Sequence, residues 1–268
     1  MIQDERIFSL NKKSENPKGK YILYWMQSSV RTRFNHALAF SIQQANKHQL
    51  PLIVFYQLLS AYPEANSRHY TFLLEGLRDV EKNLTSLGIA LFVGIEKYPQ
   101  RISLEKLARD ARLVVTDRGY TRFQKIWREN VSENIPCPLI QIESDSIVPV
   151  QTASPKEEYS AFTFRKKIQT HLKNFLVSLP LQRPKLSSLS FCYPTLSLKD
   201  SSQKILSHFS LDTSVSPSPL FCGGENEAQK QLNLFLSKKL PFFSEKRNDP
   251  SLSISSNLSP YLHFGHIS

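Results

Sequence analysis

The run Tyr21-Ile22-Leu23-Tyr24-Trp25 decides the fold class of this chain. It is continuous and apolar, which is typical of a strand buried on both faces of a parallel sheet. Four similar runs follow at residues 52–56, 89–93, 113–116 and 139–142. Helical patterns separate these runs, so strand and helix alternate from Tyr21 to Glu143. The alternation predicts an α/β fold, an open parallel sheet with helices on both faces.

The helix between the second and third predicted strands has the clearest pattern. Leucine and valine recur at spacings of three and four residues from Leu73 to Leu87 and form one apolar stripe. Ser67 is placed to cap the start of this helix, and Gly88 to end it in a left-handed conformation. Further helices are predicted over residues 35–47, 104–111 and 121–133.

The composition predicts four parts along the chain. Residues 1–20 are predicted to be a polar N-terminal tail, and residues 21–150 the α/β domain. Residues 151–222 hold one basic helix and then a stretch rich in serine, proline and leucine, which predicts a long connection wrapped over the surface. Residues 223–268 begin with two glycines, continue as a helix from Glu225 to Leu240, and are interpreted as the first helices of a second domain.

Charge and cysteine content limit the function classes. The 268 residues include 34 Lys and Arg against 23 Asp and Glu, a net charge of +11. Such an excess favours a polyanionic partner such as nucleic acid, although many basic proteins have none. The three cysteines have neither disulfide nor metal spacing, and they predict thiols in a reducing cytosol.

The apolar runs are too short for a membrane protein. None approaches the roughly 20 residues that a membrane-spanning helix needs, and the first 20 residues lack the apolar core of a signal peptide. We therefore expect a cytoplasmic protein with no membrane partner.

Ligands of open α/β sheets bind at the carboxyl ends of the strands, so the loops that follow the strands are the candidate sites. Arg31 or Arg33 is placed either to reach an anionic ligand or to anchor its own loop. Asp117 either bonds to a ligand or, as the pattern favours, caps the next helix. Glu143 and Asp145 suit acid–base chemistry less well than turn formation.

Several common catalytic motifs are missing from the sequence. It contains neither GxGxxG nor GxxxxGK[ST], so the usual nucleotide-binding loops are absent. The seven histidines are scattered, and none lies at ligand spacing from a second ligand type. A hydrolase or metalloenzyme is disfavoured, and we predict no metal ligands.

The last segment, Ser255-Ser256-Asn257-Leu258-Ser259-Pro260-Tyr261, places hydroxyl groups before an apolar helix start. Hydroxyls and free N–H groups at the N-terminus of a helix form an anion site suited to a diphosphate. Taken without the rest of the chain, the segment is better interpreted as an ordinary capped helix.

Five stretches together make the chain resemble the class II cyclobutane pyrimidine dimer photolyases. In family order they are YWMQSSVRTRFNHAL (24–38), EANSRHYTFLLEGLRDVEKNL (64–84), LVVTDRGYTRFQKIWRE (113–129), ESDSIVPVQTASPKEEYSAFTFRKKI (143–168) and KRNDPSLSISSNLSPYLHFGHIS (246–268). The resemblance implies a Rossmann-like photolyase α/β domain, a long connection and an all-helical domain that holds FAD. Light would excite reduced flavin, which passes an electron to a pyrimidine dimer flipped out of DNA.

The resemblance also implies partners and site residues. DNA would be held through its backbone by the basic surface of a monomer, and an antenna chromophore of unknown identity is a possible second ligand. Ser255, Ser256, Asn257, Leu258 and Ser259 match the family's flavin phosphate-binding segment.

Two positions depart from the family's pattern. Phe243 matches a position where relatives often place a tyrosine near the flavin, and phenylalanine lacks that hydrogen bond. His266 stands where a glutamine is common, and the sequence offers no physical account of the change.

The family's later helices, with the flavin-ring contacts, the relay tryptophans and the lesion pocket, have no counterpart in these 268 residues. We therefore expect a C-terminally truncated copy without catalytic residues, which alone neither holds FAD tightly nor repairs DNA. Trp25 and Trp127 are predicted to be core or surface residues, not relay members. Two alternatives stay open: a cryptochrome-like flavin photoreceptor, and a non-catalytic remnant α/β domain that keeps an antenna crevice.

Overall fold

The computed structural model describes residues 2–59, 62–95, 102–180 and 182–268. Its strands are β1 (Ile7–Ser9), β2 (Tyr21–Met26), β3 (Leu52–Leu58), β4 (Ala90–Ile95), β5 (Ala111–Asp117) and β6 (Leu139–Ile142). Its α-helices are α1 (His36–His48), α2 (Ser67–Ser86), α3 (Leu104–Asp110), α4 (Arg122–Asn134), α5 (Val150–Ala153), α6 (Ala161–Phe175), α7 (Ser202–Leu206), α8 (Glu225–Leu234), α9 (Leu240–Lys246) and α10 (Ser259–His263). A 3-10 turn covers Asp4–Arg6, and a π-helical turn, Phe235–Lys239, joins α8 to α9.

The strands form one sheet in the order β1-β6-β5-β2-β3-β4. Every neighbouring pair is parallel except β1 and β6. The predicted α/β sheet is therefore confirmed, with one antiparallel strand added at its edge. The chain order reverses between β2 and β5, and such reversal points are where open α/β sheets bind ligands.

Helices cover both faces of the sheet, as the apolar character of β2 predicts. All six residues of β2 are buried, because successive side chains point to opposite faces. Those with even numbers pack in one core with apolar residues of α1 and α2. Those with odd numbers pack in a second core with residues of α3 and α4.

The prediction of a polar tail is wrong for residues 4–9. Ile7 pairs with Ile142 in the sheet, and the Arg6 side chain is fully buried. The Arg6 guanidinium donates to the carbonyl oxygens of Glu143 and Ser146, at 3.1 and 3.0 Å. A strand of three residues is too short to show an alternating pattern in the sequence. Arg6 has the sequence character of an exposed polar tail, because its burial depends on carbonyl groups far along the chain.

The N-cap of helix α2 lies one residue before the predicted cap. The N-cap is Asn66, whose side chain accepts from Arg68 N–H, while His69 Nδ1 accepts from Asn66 N–H. Ser67 is the first helical residue. Gly88 has a φ of 77° after the end of the helix, as predicted.

The long connection is irregular, but it packs more closely than predicted. Four of its side chains, Leu196, Leu198, Ile205 and Phe209, are buried in the core beside α2. The Arg78 guanidinium on α2 donates to the carbonyls of Leu198 and Asp200. The buried apolar residues of the connection are spaced irregularly along the sequence. They therefore show neither the helical nor the strand period by which burial could be predicted.

The connection also covers the outer edge of β4. Ala90 N–H donates to Ser188 Oγ at 2.8 Å, and Val93 N–H donates to Thr195 Oγ1 at 2.7 Å. Leu196 N–H donates to the carbonyl oxygen of Val93. Serine and threonine side chains therefore take the hydrogen bonds that a further strand would make.

Residues 223–268 pack on α2 through a small apolar cluster. Ala228 and Tyr261 are buried against Phe72 in a cluster of their own. The predicted helix from Glu225 to Leu240 is present as α8, the π-helical turn and the start of α9. Within the described ranges, none of the helices combines the length and apolar character that crossing a bilayer requires.

Candidate functional site

The loop after β2 wraps around one buried carboxylate at the reversal point of the sheet. Asp117, at the end of β5, is fully buried. It accepts hydrogen bonds from the backbone N–H groups of Gln27, Ser28 and Ser29 at 2.8, 3.1 and 3.2 Å, and from Tyr24 Oη at 2.7 Å. Burial raises the pKa of Asp117, while these hydrogen bonds act in the opposite direction.

This geometry settles two of the open interpretations. The favoured role of Asp117 as a helix cap is wrong, because Thr121 caps α4 and Asp117 organises the loop after β2 instead. Arg31 anchors the loop, since its guanidinium is buried and donates to the carbonyls of Gly265 and Ser144, both at 3.1 Å. Arg33 points outward, with 58% of its side chain exposed.

The two acidic residues after β6 have different environments. Glu143 is fully buried and forms the turn, accepting from Arg118, Ser146 Oγ and Val150 N–H at 2.9, 2.7 and 2.7 Å. Asp145 is an exposed residue and accepts from Ser29 Oγ at 3.4 Å. Desolvation of its carboxyl group by the surrounding protein atoms, and then the charge of Asp117, raise the pKa of Asp145 to about 6.

A cavity of about 530 Å³ opens at the carboxyl ends of β2, β3 and β5. We call it the crevice, and its walls are formed by residues 26–28, 30, 56–59, 62–65, 69, 70, 73, 120, 121, 123, 124, 127, 145, 263 and 264. Six aromatic side chains of the α/β unit line it: Tyr56, Tyr62, Tyr70, Tyr120, Phe123 and Trp127. Among the lining residues that the structure describes, no lysine or arginine occurs. A volume of this size fits a small-molecule ligand.

Gln27 is a polar residue of the crevice wall whose side chain has no protein partner within the described ranges. Both its side-chain oxygen and its side-chain nitrogen are buried, and neither has a hydrogen-bond partner among the described residues. Leaving such groups unpaired costs free energy. One donor and one acceptor side by side are suited to the edge of a heteroaromatic ring.

Trp127 joins the crevice to the core of the sheet. Its ring meets Trp25 edge-on at a centroid distance of 4.8 Å, and Phe123 at 6.1 Å. Trp25 is fully buried. Trp25 is therefore a core residue, as predicted, whereas Trp127 is a wall of the crevice.

The five residues that match a flavin phosphate-binding segment lie together at the start of α10, four of them before it and Ser259 as its first residue. Ser255, Asn257 and Ser259 are exposed, and Ser256 and Leu258 are half-buried. Asn257 has a left-handed φ of 58°, and its Oδ1 accepts from Ser255 Oγ at 3.0 Å. The N-cap of α10 is Leu258, which has no side-chain capping bond, so the ordinary capped-helix interpretation is wrong.

Phe243 lies on α9, half-buried, with its ring 5.3 Å from Phe235. No contact between Phe243 and residues 255–259 occurs among the hydrogen bonds and ring contacts of the described chain. Lys239 links the two regions instead, because its Nζ donates to the carbonyl oxygen of Ser255 at 3.1 Å.

The structure gives a physical reason for a histidine at position 266. It is fully buried, stacks on Phe72 at 5.0 Å with an interplanar angle of 20°, and accepts from Gly224 N–H through Nδ1 at 2.9 Å. A glutamine side-chain oxygen is able to accept the same hydrogen bond but does not stack as a ring. His266 therefore fixes the end of the chain to α2.

The comparisons with known proteins agree with this architecture. The family model described as DNA photolyase matches residues 22–185, well over half of the chain. The chain belongs to the DNA photolyase family.

Relatives of this photolyase-family chain are longer than it is. It is 46% identical over 268 residues to the deoxyribodipyrimidine photo-lyase of Methanothermobacter thermautotrophicus. This match covers 100% of the chain and 58% of that relative. It is 30% identical over 256 residues to the deoxyribodipyrimidine photo-lyase of Potorous tridactylus. This match covers 92% of the chain and 46% of that relative.

Solved photolyases share the fold. A class III photolyase from Agrobacterium tumefaciens matches with a TM-score of 0.64 and 20% identity, over 94% of this chain and 52% of that one. An archaeal photolyase from Sulfolobus tokodaii matches with a TM-score of 0.65 and 18% identity, over 92% of this chain and 52% of that one. The crystal structure of the Sulfolobus protein contains two FAD molecules and is described as implying a novel light-harvesting cofactor.

The loop after β2, which includes Gln27, was a candidate ligand wall from the sequence because it follows the first strand. Most other residues of the crevice were missed. Tyr56 stands at the carboxyl end of β3, and this position was a usable signal. Tyr62, Phe123 and Trp127 carry no such signal, because loops and a helix bring them to the same place from separate parts of the chain.

Proposed function

We propose that the protein to which these residues belong repairs cyclobutane pyrimidine dimers in DNA, as a class II photolyase that uses light-driven electron transfer from reduced FAD. The observation that carries this proposal is the match along the whole chain to a deoxyribodipyrimidine photo-lyase. The subclass rests on the strings WMQSSVR, EANSRHYTFLLEGL and ASPKEEYSA. The first of these strings includes the loop that wraps around Asp117, and the second includes the start of α2.

FAD supplies the photoexcited electron donor when it is bound. We assign Ser255, Ser256, Asn257, Leu258 and Ser259 to its phosphate groups, and Phe243 to its neighbourhood. The exposed hydroxyls of this segment and the ammonium of Lys239 beside it suit a diphosphate. We expect the 268 residues alone to release FAD, because the family's flavin-ring contacts are not among them.

We assign a light-harvesting chromophore to the crevice. Aromatic walls favour a planar ring, and the unpaired carboxamide of Gln27 favours a ring edge that offers both a donor and an acceptor. The lack of lysine and arginine among the described lining residues does not favour a phosphate inside the crevice. The ligand class is therefore an uncharged heteroaromatic ring system.

We propose an intracellular monomer that binds damaged DNA. The net charge of +11 supports attraction to the phosphate backbone with little sequence preference. We further propose that residues 21–150 form the α/β domain, residues 151–222 the connection, and residues 223–268 the beginning of the helical FAD-binding domain.

A chimeric protein tests the repair proposal. Residues 1–268 would replace the matching part of the Methanothermobacter photo-lyase, and repair of a thymine-dimer oligonucleotide would be measured under blue light and in darkness. We expect light-dependent repair by the chimera, and no stoichiometric flavin absorbance in the purified chain of 268 residues. A chimera that holds FAD and leaves the dimers intact favours the photoreceptor alternative.

Riboflavin is a suitable probe for the crevice, because it has a flavin ring and no phosphate. We expect quenching of riboflavin fluorescence on addition of the chain of 268 residues, and affinity about tenfold lower for Gln27→Leu. Gln203→Leu, an exposed position on α7, is the matched control. Equal affinity of Gln27→Leu and the unaltered chain would show that Gln27 does not contact the ligand.

A further inference from the structure

The crevice has one wall that does not come from the α/β unit. His263 and Phe264 line it from the C-terminal side, and they belong to α10 and the residue after it. The Phe264 ring lies 5.1 Å from Phe72 and 6.4 Å from His69, both on α2. Residues 261–266, which we call the docking segment, therefore close one side of the crevice.

Two glycines set how closely the docking segment approaches the rest of the chain. Gly265 has a φ of 70°, and a Cβ at this position would lie 1.8 Å from the carbonyl oxygen of Ser28. Gly76 on α2 has no side chain where the His266 ring packs, since a Cβ there would lie 2.1 Å from Nε2. Neither glycine tolerates even one added methyl group without displacement of its neighbour.

Polar contacts join the docking segment to the loop that forms the adjoining wall. Arg31 Nη1 donates to the carbonyl oxygen of Gly265 at 3.1 Å. Arg31 follows directly on residues 26–30. All of these except Ser29 line the crevice, and the N–H groups of residues 27–29 bind Asp117. The position of the docking segment and the shape of this wall are therefore linked through one buried guanidinium.

We propose that the crevice is a two-part site, in which the ligand and the docking segment stabilise each other's position. The proposal rests on the crevice binding a planar chromophore, as proposed above. Phe264 supplies an aromatic surface to the ligand only when the segment is docked, and a ligand in contact with Phe264 opposes undocking. Linkage requires the two effects to be equal: docking raises the ligand affinity by the same factor by which bound ligand favours docking.

This coupling extends to the residues just before the docking segment. Ser259 and Pro260 begin the same short helix α10 that ends beside the crevice at His263. Residues 255–259, assigned above to flavin phosphates, are thus continuous with a wall of the chromophore site. Fixing the position of the flavin phosphate segment therefore helps to fix the crevice wall, and the reverse, because the five residues of α10 join them.

The decisive variant is Gly265→Ala, because it disturbs docking without removing any side chain that lines the crevice. With riboflavin as the probe, we expect its affinity to fall about tenfold in Gly265→Ala and in Phe264→Ala. Leu262→Ala is the matched control, since Leu262 lies on α10 with 55% of its surface exposed, and its affinity should stay within about twofold of the unaltered chain. Unchanged affinity in both Gly265→Ala and Phe264→Ala overturns the proposal.

Hydrogen exchange provides the reciprocal measurement. Riboflavin should slow exchange of the amides in residues 261–266 in the unaltered chain and in Leu262→Ala, and should slow it less in Gly265→Ala. A purely structural role of Gly265 would alter exchange without altering its response to riboflavin. Riboflavin that binds and leaves exchange of the docking segment unchanged also overturns the proposal.

A ligand-free measurement separates this proposal from the function of the crevice. If the unaltered chain binds no riboflavin, the chromophore assignment fails, and closure is judged by acrylamide quenching of tryptophan fluorescence. The chain has two tryptophans, and only Trp127 lines the crevice, Trp25 being fully buried. We expect stronger quenching in Gly265→Ala than in Leu262→Ala, and equal quenching would show that the docking segment does not close the crevice.

Discussion

Helices α2 and α9 differ in what supports them. α2 buries eight of its residues between the sheet, the connection and the docking segment. α9, all of which the structure describes, buries none, and Leu240 and Phe242 on it are 46% and 49% exposed. The α/β unit is thus held by extensive apolar burial, whereas residues 223–268 are attached to it by one small apolar cluster around Phe72, by hydrogen bonds and by close glycine contacts. The two regions should respond to different kinds of substitution.

The largest effect is expected inside the α/β unit, at Asp117. Asp117→Ala leaves three backbone N–H groups and the Tyr24 hydroxyl without their acceptor in a buried place. We expect a loss of about 4 kcal/mol in the free energy of unfolding, measured by urea denaturation. The control, Asp110→Ala, removes an exposed ion pair with Lys20 and should change stability by less than about 0.5 kcal/mol. A loss below about 1 kcal/mol for Asp117→Ala would contradict its role as organiser of the loop.

The attachment of the C-terminal region should respond most to Glu225. This buried carboxylate accepts from the N–H groups of Thr32 and Arg33, from Thr32 Oγ1 and from Asn83 Nδ2. We expect Glu225→Ala to cost about 2 kcal/mol and to speed hydrogen exchange in the loop before α1 and at the start of α8. Glu227→Ala, a neighbouring residue paired with Lys230 on the surface, is the control. Faster exchange spread over the whole sheet would show that the two regions unfold together.

The pH dependence of stability should also report on the attachment. Burial, and to a smaller extent Arg31, lowers the pKa of His266 to about 3. The unfolded histidine has the ordinary pKa near 6.5, so the contribution of His266 is fully present above that pH and is lost as the pH falls below it. Between pH 7 and pH 5.5, His266→Gln should lose about 1 kcal/mol less stability than the unaltered chain.

The control for that measurement is the exposed His263, three residues earlier. His263→Gln should leave the pH dependence of the unaltered chain in place. Parallel pH profiles for His266→Gln and the unaltered chain would mean that His266 is not buried as described.

The smallest effect is expected on the exposed face of α9. Phe242→Ala removes a ring that contacts mainly solvent and Lys246, and the free energy of unfolding should change by no more than about 0.5 kcal/mol. The contrasting variant is Phe72→Ala on α2, where loss of a buried ring should cost about 3 kcal/mol. If Phe242→Ala costs as much as Phe72→Ala, the face of α9 is covered in solution.

The sheet was predictable from sequence because its strands bury both faces. β2 is apolar over all six residues, and β3 and β5 contain the apolar runs 52–56 and 113–115. Such runs can be recognised as strands from the local sequence alone. β1 was missed because three residues are too few to show a pattern, and its position depends on Arg6 reaching carbonyls more than 130 residues away.

The site was predictable only in part. Its place at the carboxyl ends of the strands follows from the α/β fold, and the loop anchored by Arg31 was among the interpretations. The role of Asp117 was not predictable. The sequence around it is that of a helix cap, whereas the N–H groups that it binds lie about ninety positions earlier in the chain. The assignment of residues 255–259 to flavin phosphates rests on resemblance and stays a prediction.

The connection along β4 has a consequence for how these molecules behave in solution at high concentration. An open edge strand offers unpaired N–H and C=O groups to any other chain, and edge-to-edge pairing is a common route to aggregation. Here Ser188, Thr195 and Leu196 already take those groups on β4, while the opposite edge ends in a strand of only three residues. A substitution that loosens the connection, such as Thr195→Val, would thus expose a template for self-association before it disturbed the crevice.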